Sequence, residues 1–212
     1  MSTFDNAYAL IVGIAHYQHI RSLPIVVLND TQAIYDALVD PQVCAYPSAN
    51  VTLLTDAEAT KAALRQALVS LAADTNANST VFIYFSGHGA HLDGVDGGNE
   101  YLLPVDTSLA TSSALVQTAI SGSEVTQFLN DIPARKVVVI FDCCHAGGIG
   151  QPKDAQAPLL KAGLPDAYYE QLHKGRGRLI LASSRSSEVS WVLPNDQHSL
   201  FTKHLVAGLR GG

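Results

Sequence analysis

The chain has 212 residues, 47% of them hydrophobic and only 15% charged, with a formal net charge of −6, which suits one domain with a large core. The acidic balance and the lack of a basic run disfavour nucleic acid and anionic membranes as partners and mildly favour a cationic peptide. No apolar stretch is long enough to span a bilayer, and the N-terminus lacks the basic start of a signal peptide. The three cysteines, Cys44, Cys143 and Cys144, make a poor disulfide framework and point to a reducing cytoplasm.

In chain order, Tyr8–Ile14 is an apolar run that reads as a strand. Asp30–Leu38 has helical spacing and stops before Pro41. Val51–Leu54 is a short strand. Lys61–Ala73 carries Leu64, Leu68 and Leu71 on one helical face. Val81–Phe85 is a buried strand that stops at Ser86-Gly87-His88-Gly89. Tyr101–Leu103 is extended, and Val125–Leu129 is helical with Ser121 or Ser123 as cap. Val137–Phe141 is a second buried strand, ending at Asp142-Cys143-Cys144-His145-Ala146-Gly147. A long Pro-punctuated region follows over 147–174, then a strand over Arg178–Ala182 and a helix over Ser199–Leu209. The βαβα order predicts a mostly parallel sheet with helices on both faces. No internal repeat is present. The abrupt end at Arg210-Gly211-Gly212 is compatible with a catalytic fragment of a longer protein.

Two of these strands place chemistry at the C-terminal edge of the sheet, where open α/β folds bind their substrates. One ends at His88, the other at the cysteine pair. A thiol beside an imidazole is the arrangement of a cysteine nucleophile with an acid–base partner. Gly89 and Gly147 let main chain approach a substrate closely. Backbone N–H groups near the nucleophile can hold an oxyanion. A packed thiol and a packed histidine are the competing explanation, and each residue alone would favour it. The pairing at two glycine-flanked strand ends reverses that preference.

The segments Ser86-Gly87-His88-Gly89 and Asp142-Cys143-Cys144-His145-Ala146-Gly147 resemble the caspase superfamily, in particular metacaspases and prokaryotic orthocaspases. His88 precedes Cys144 by 56 residues (144 − 88), close to the separation of about 50 seen in caspases. The resemblance extends over Leu10–Ile14, Leu23–Asp30, Tyr101–Asp106, Leu181–Ser186 and Ser199–Thr202. It departs from the metacaspase pattern at Ala146, where that family has Ser. It implies a three-layer α/β/α sandwich over 1–212, with 147–174 as the linker between two subunit-like parts. It also implies a cysteine endopeptidase with His88 and Cys144 as the dyad, and Gly89 and Cys144 as oxyanion donors. Cys143 is then a packed thiol.

By the same resemblance, Asp30 and Asp142 line the pocket for the residue before the scissile bond. Two carboxylates there call for Arg or Lys. From local pattern alone, Asp30 could equally cap a helix and Asp142 could be a strand-end turn residue. Arg185 is the candidate for a rival, Asp-binding pocket. Trp191 is a candidate cleft wall, or else core. Lys153, Lys161 and Lys174 are candidate self-cleavage sites in an exposed loop.

No cofactor is expected. Many metacaspases use calcium through an acidic cluster, but the matching helix start here reads Ser121-Gly122-Ser123-Glu124. Asp93, Asp96 and Glu100 resemble a calcium loop only loosely. Zinc at Cys143, Cys144 and His145 lacks a second ligand pair. The remaining alternatives are a caspase-like protease of Asp or Asn specificity, and a non-catalytic caspase-like scaffold.

Overall fold

The computed structural model describes residues 4–92, 100–142, 177–183 and 196–212. Among the described residues, five parallel strands form the central sheet: β1 (Ala7–Gly13), β2 (Val51–Thr55), β3 (Thr80–Ser86), β7 (Lys136–Asp142) and β8 (Arg178–Ala182), in the order β2-β1-β3-β7-β8. A small antiparallel sheet joins β4 (Gly89–His91), β5 (Glu100–Leu102) and β6 (Ile120–Ser121). Only its middle strand is predicted from the sequence pattern.

Alternation along the central strands sorts side chains to two faces. Leu10, Val12, Ile83, Phe85, Val139 and Phe141 pack with Leu64, Leu68 and Leu71 of α2 (Lys61–Asp74). The same layer takes Leu115 of α3 (Ser112–Thr118) and Val125 and Leu129 of α4 (Gly122–Asp131). Ala9, Ile11, Phe82, Tyr84 and Ile140 face the other way, toward Ile34 and Leu38 of α1 (Val26–Val39). Phe201, Leu205 and Leu209 of α5 (Leu200–Leu209) complete that layer. The result is the α/β/α sandwich with a mostly parallel sheet.

Helix starts carry their own caps. Thr60, Thr111, Ser121 and Ser199 each accept an N–H of the first turn of α2, α3, α4 and α5. Helix α1 is different. It starts at Val26 with no side-chain cap, so Asp30 lies a full turn inside it and does not cap it. Pro24 favours this start: its carbonyl accepts the Val27 N–H, and its ring presets the turn. The β-branched Val26-Val27 pair disguises a helix as a loop in the sequence pattern.

The register levels the strand ends. Thr55, Gly13, Ser86 and Asp142 stand side by side across β2, β1, β3 and β7. From β1 the chain runs outward to β2, then returns to β3 on the other side of β1. The crevice for chemistry in such a sheet lies where these connections diverge, between β1 and β3.

Candidate active site

His88 sits at that divergence, two residues beyond the end of β3, with 1% of its surface exposed. Its main chain is held on both sides. Its N–H donates to the Tyr17 hydroxyl at 2.7 Å, and its carbonyl accepts from Leu103 N–H at 3.1 Å. The Tyr17 ring lies tilted against the imidazole, centroid to centroid 4.9 Å. Gly87 is required for this approach, because a Cβ there would stand 2.7 Å from the Tyr17 hydroxyl.

The imidazole has one bonded nitrogen and one bare one. Nε2 lies 2.9 Å from the main-chain carbonyl of Arg21. A carbonyl only accepts, so Nε2 carries the hydrogen and Nδ1 is left with a lone pair in the neutral ring. Nδ1 is buried and makes no hydrogen bond among the described residues. Burial pushes the His88 pKa below its ordinary value. The Arg21 carbonyl opposes that shift, and the Arg21 charge adds to it. The site thus offers a neutral imidazole with one oriented basic nitrogen. Gly89 opens β4, opposite Leu102, and is half-buried.

Asp30 and Asp142 come together at the N-terminus of α5, from opposite ends of the sequence. Asp30 accepts the Ser199 N–H on both oxygens, at 3.2 and 3.1 Å, and pairs with His198 Nδ1 at 2.9 Å. Asp142 Oδ2 accepts from the hydroxyls of Tyr84 at 3.1 Å, Thr202 at 3.3 Å and Ser199 at 3.4 Å. Both carboxylates are 1% exposed. Burial raises the Asp30 pKa, and the nearby Asp142 charge adds to the rise; bonds from Ser199 and His198 oppose it. Burial likewise drives the Tyr84 phenol well above its usual range.

Sequence reasoning missed Tyr17, Arg21, Tyr84, Ser199 and Thr202 as parts of this region. A Ser followed three residues later by Thr at a helix start was the visible signal for the last pair. Arg21 acts through its main chain and leaves no side-chain signal. Cys143, Cys144, Arg185, Trp191, Lys153, Lys161 and Lys174 lie outside the described residues, as do Asp93, Asp96 and the 147–174 segment. Glu100 does not stand free as a cation ligand: it forms a close pair with the His91 ring. Among the described residues, no group of three or more His, Cys, Asp or Glu could hold a metal ion. Nor is any described helix long and apolar enough to cross a membrane. A cavity of about 320 Å³, lined by Tyr8, Asn50, Thr52, Ser70 and Asp74, opens far from His88, near the beginning of β1.

A parallel sheet with an oriented histidine at its divergence point, and two acids beyond it, defines a caspase-type α/β domain. The family described as Caspase domain matches residues 6–212, and the chain belongs to that family. Metacaspase-1A of Aspergillus oryzae is 34% identical over 113 residues, covering 48% of this chain and 26% of the fungal protein. Metacaspase-1 of Eremothecium gossypii is 28% identical over 153 residues, covering 67% of this chain and 32% of its own length. The chain thus spans about a third or less of these curated relatives. A solved structure of a Geobacter sulfurreducens protein superposes with a TM-score of 0.64 at 16% identity, covering 98% of this chain and 83% of that one. Caspase-1 from Spodoptera frugiperda gives 0.59 at 15% identity, covering 100% and 71%. Both structural likenesses concern the fold.

Proposed function

We propose that this protein is a cysteine endopeptidase that cleaves after Arg or Lys, with Cys144 as nucleophile and His88 as acid–base partner. The observation that carries the reading is the His88 ring: Nε2 is committed to the Arg21 carbonyl, and Nδ1 is buried and unbonded among the described residues. Nδ1 takes the proton of the Cys144 thiol, leaving a thiolate beside an imidazolium. The thiolate sulfur attacks the substrate carbonyl carbon, and the carbonyl oxygen becomes an oxyanion, with the N–H groups of Gly89 and Cys144 as its donors. The C–N bond then breaks, and the Nδ1 proton passes to the leaving amine. Water hydrolyses the thioester: Nδ1 accepts its proton, the acid product departs, and the thiol is restored. Burial that favours the neutral ring makes the imidazolium a ready proton donor.

Arg or Lys specificity is supported by two buried carboxylates in one cluster, where burial and mutual repulsion raise the cost of charge on Asp30. A substrate guanidinium would relieve that cost.

Fluorogenic peptides ending in Arg, Lys, Asp or Asn test the reading. Hydrolysis of the Arg and Lys peptides, lost in Cys144→Ala and His88→Ala and retained in Cys143→Ala, is the expected result. Activity that survives Cys144→Ala but not Cys143→Ala moves the nucleophile by one residue. Cleavage after Asp rather than Arg overturns the pocket and directs attention to Arg185.

A further inference from the structure

The His88 ring is oriented by a main-chain carbonyl, so no side-chain change at Arg21 sets it; only the path of the connection after β1 does. That connection is a closed loop. Ala15 is its neck: the Ala15 carbonyl accepts the Leu23 N–H at 2.8 Å. Between these residues lie Tyr17, which takes the His88 N–H, and Arg21, which takes Nε2. Gln18 N–H is tied to the Val105 carbonyl at 3.0 Å.

One side chain clamps the neck. Asp56 Oδ1 accepts the N–H groups of Ala15 at 2.7 Å and His16 at 2.9 Å, and Oδ2 pairs with His16 Nδ1 at 2.7 Å. Successive main-chain N–H groups converging on one oxygen make a small anion site, filled here by the protein's own carboxylate. Asp56 adopts a left-handed backbone, φ 40°, just after β2. Its carbonyl closes a short turn by accepting the Ala59 N–H at 2.9 Å. Among residues other than Gly, Asp and Asn tolerate that conformation best. The strain and the double amide contact serve no helix cap: α2 is capped separately by Thr60. Burial is the largest single influence on the Asp56 carboxyl and pushes its pKa up. The bonds from His16 and Ala15 together outweigh it, so the acid stays ionised.

We propose that Asp56 is a positioning residue for the His88 imidazole, acting through the 15–23 loop and touching neither the ring nor a substrate. Its catalytic consequence rests on the peptidase reading above. Its structural consequence does not: Asp56 fixes which ring nitrogen of His88 carries the hydrogen.

The test uses protein labelled with ¹⁵N at histidine, with the His88 signals assigned by their loss in His88→Asn. Wild type should show a single tautomer with hydrogen on Nε2. Asp56→Ala should broaden or mix the two ring signals and lower kcat for an Arg peptide about tenfold or more, with KM held within about threefold. Asp56→Asn keeps a left-handed backbone and an acceptor for both amides, and should restore the single tautomer and most of kcat. Thr60→Ala, which removes the α2 cap, should lower the melting temperature without moving the His88 signals. Wild-type ring signals and kcat in Asp56→Ala overturn the proposal, as does an equal change in Thr60→Ala. If Asp56→Ala does not fold, Asp56→Ser, too short to reach both amides, replaces it and is read by the same outcomes. If wild type cleaves no peptide, the peptidase reading fails while the ring signals still decide the role of Asp56.

Discussion

Gly13 and Thr31 touch so closely that no side chain fits between them: a Cβ at position 13 would lie 2.0 Å from Thr31 Oγ1. Thr31 is fully buried, and its hydroxyl is bonded to the Val27 carbonyl at 2.6 Å. It has no room to retreat. The contact brings α1, and with it Asp30, against the end of β1. Gly13→Ala should therefore cost about 1–3 kcal/mol of stability, the usual scale for an overpacked core. Urea unfolding measures it; an unchanged midpoint would mean that α1 shifts freely.

Tyr17→Phe keeps the ring against His88 but removes the acceptor for the buried His88 N–H. An unsatisfied buried donor costs on the order of 1–3 kcal/mol. Loss of stability and of kcat together is the expected outcome. Full activity with an unchanged melting temperature would show that the hydroxyl is dispensable.

His88 makes stability depend on pH. Its folded pKa is depressed, chiefly by burial, so the unfolded chain binds the proton more readily. Its contribution is fully present above the unfolded value of 6.5 and is lost as pH falls through the lower folded value. Unfolding free energy should thus decline as pH drops below about 6.5. In His88→Asn that part of the slope should vanish. An identical slope in the variant would mean that the imidazole stays accessible to protons in the native state.

Asp30 predicts a pH signature for substrate binding. Its pKa is raised, first by burial and then by Asp142. As pH falls through that raised value, Asp30 becomes neutral and attraction for a cation is lost. KM for an Arg peptide should rise toward acid pH, whereas the isosteric uncharged citrulline peptide should show no such rise. Asp30→Asn should abolish the difference. Parallel pH profiles for the two peptides would remove Asp30 from the pocket.

The strand ends carrying His88 and Asp142 were legible because an apolar run that halts at Gly, His or Asp is a local pattern, and the register places them on one edge. Asp30 was legible as an acid of interest but not in its setting. The sequence could not show that its partners, His198 and Ser199, come from the far end of the chain. Asp56 gave no signal, since a left-handed Asp after a strand looks like any turn acid. Tyr84 read as one more strand residue; its phenol gains a role only once the register of β3 and β7 brings Asp142 within reach and α5 brings Thr202 within 3.1 Å. The antiparallel β4-β5-β6 sheet was largely invisible because its strands are two or three residues long.

The pairing of β7 with β8 runs from Val137↔Arg178 to Phe141↔Ala182, and Ser183 N–H adds one more bond to the Phe141 carbonyl. Asp30 and Asp142 reach across the same divide to Ser199 and Thr202. None of these bonds uses the peptide chain between Asp142 and Gly177. Residues 4–142 and 177–212 are joined by these hydrogen bonds and by the α1–α5 layer, so a single cut between Asp142 and Gly177 would break none of the bonds named here. The covalent link sets the entropy of keeping the halves together; the fit between them is written elsewhere, in the strand register and in a helix cap that holds two acids at once.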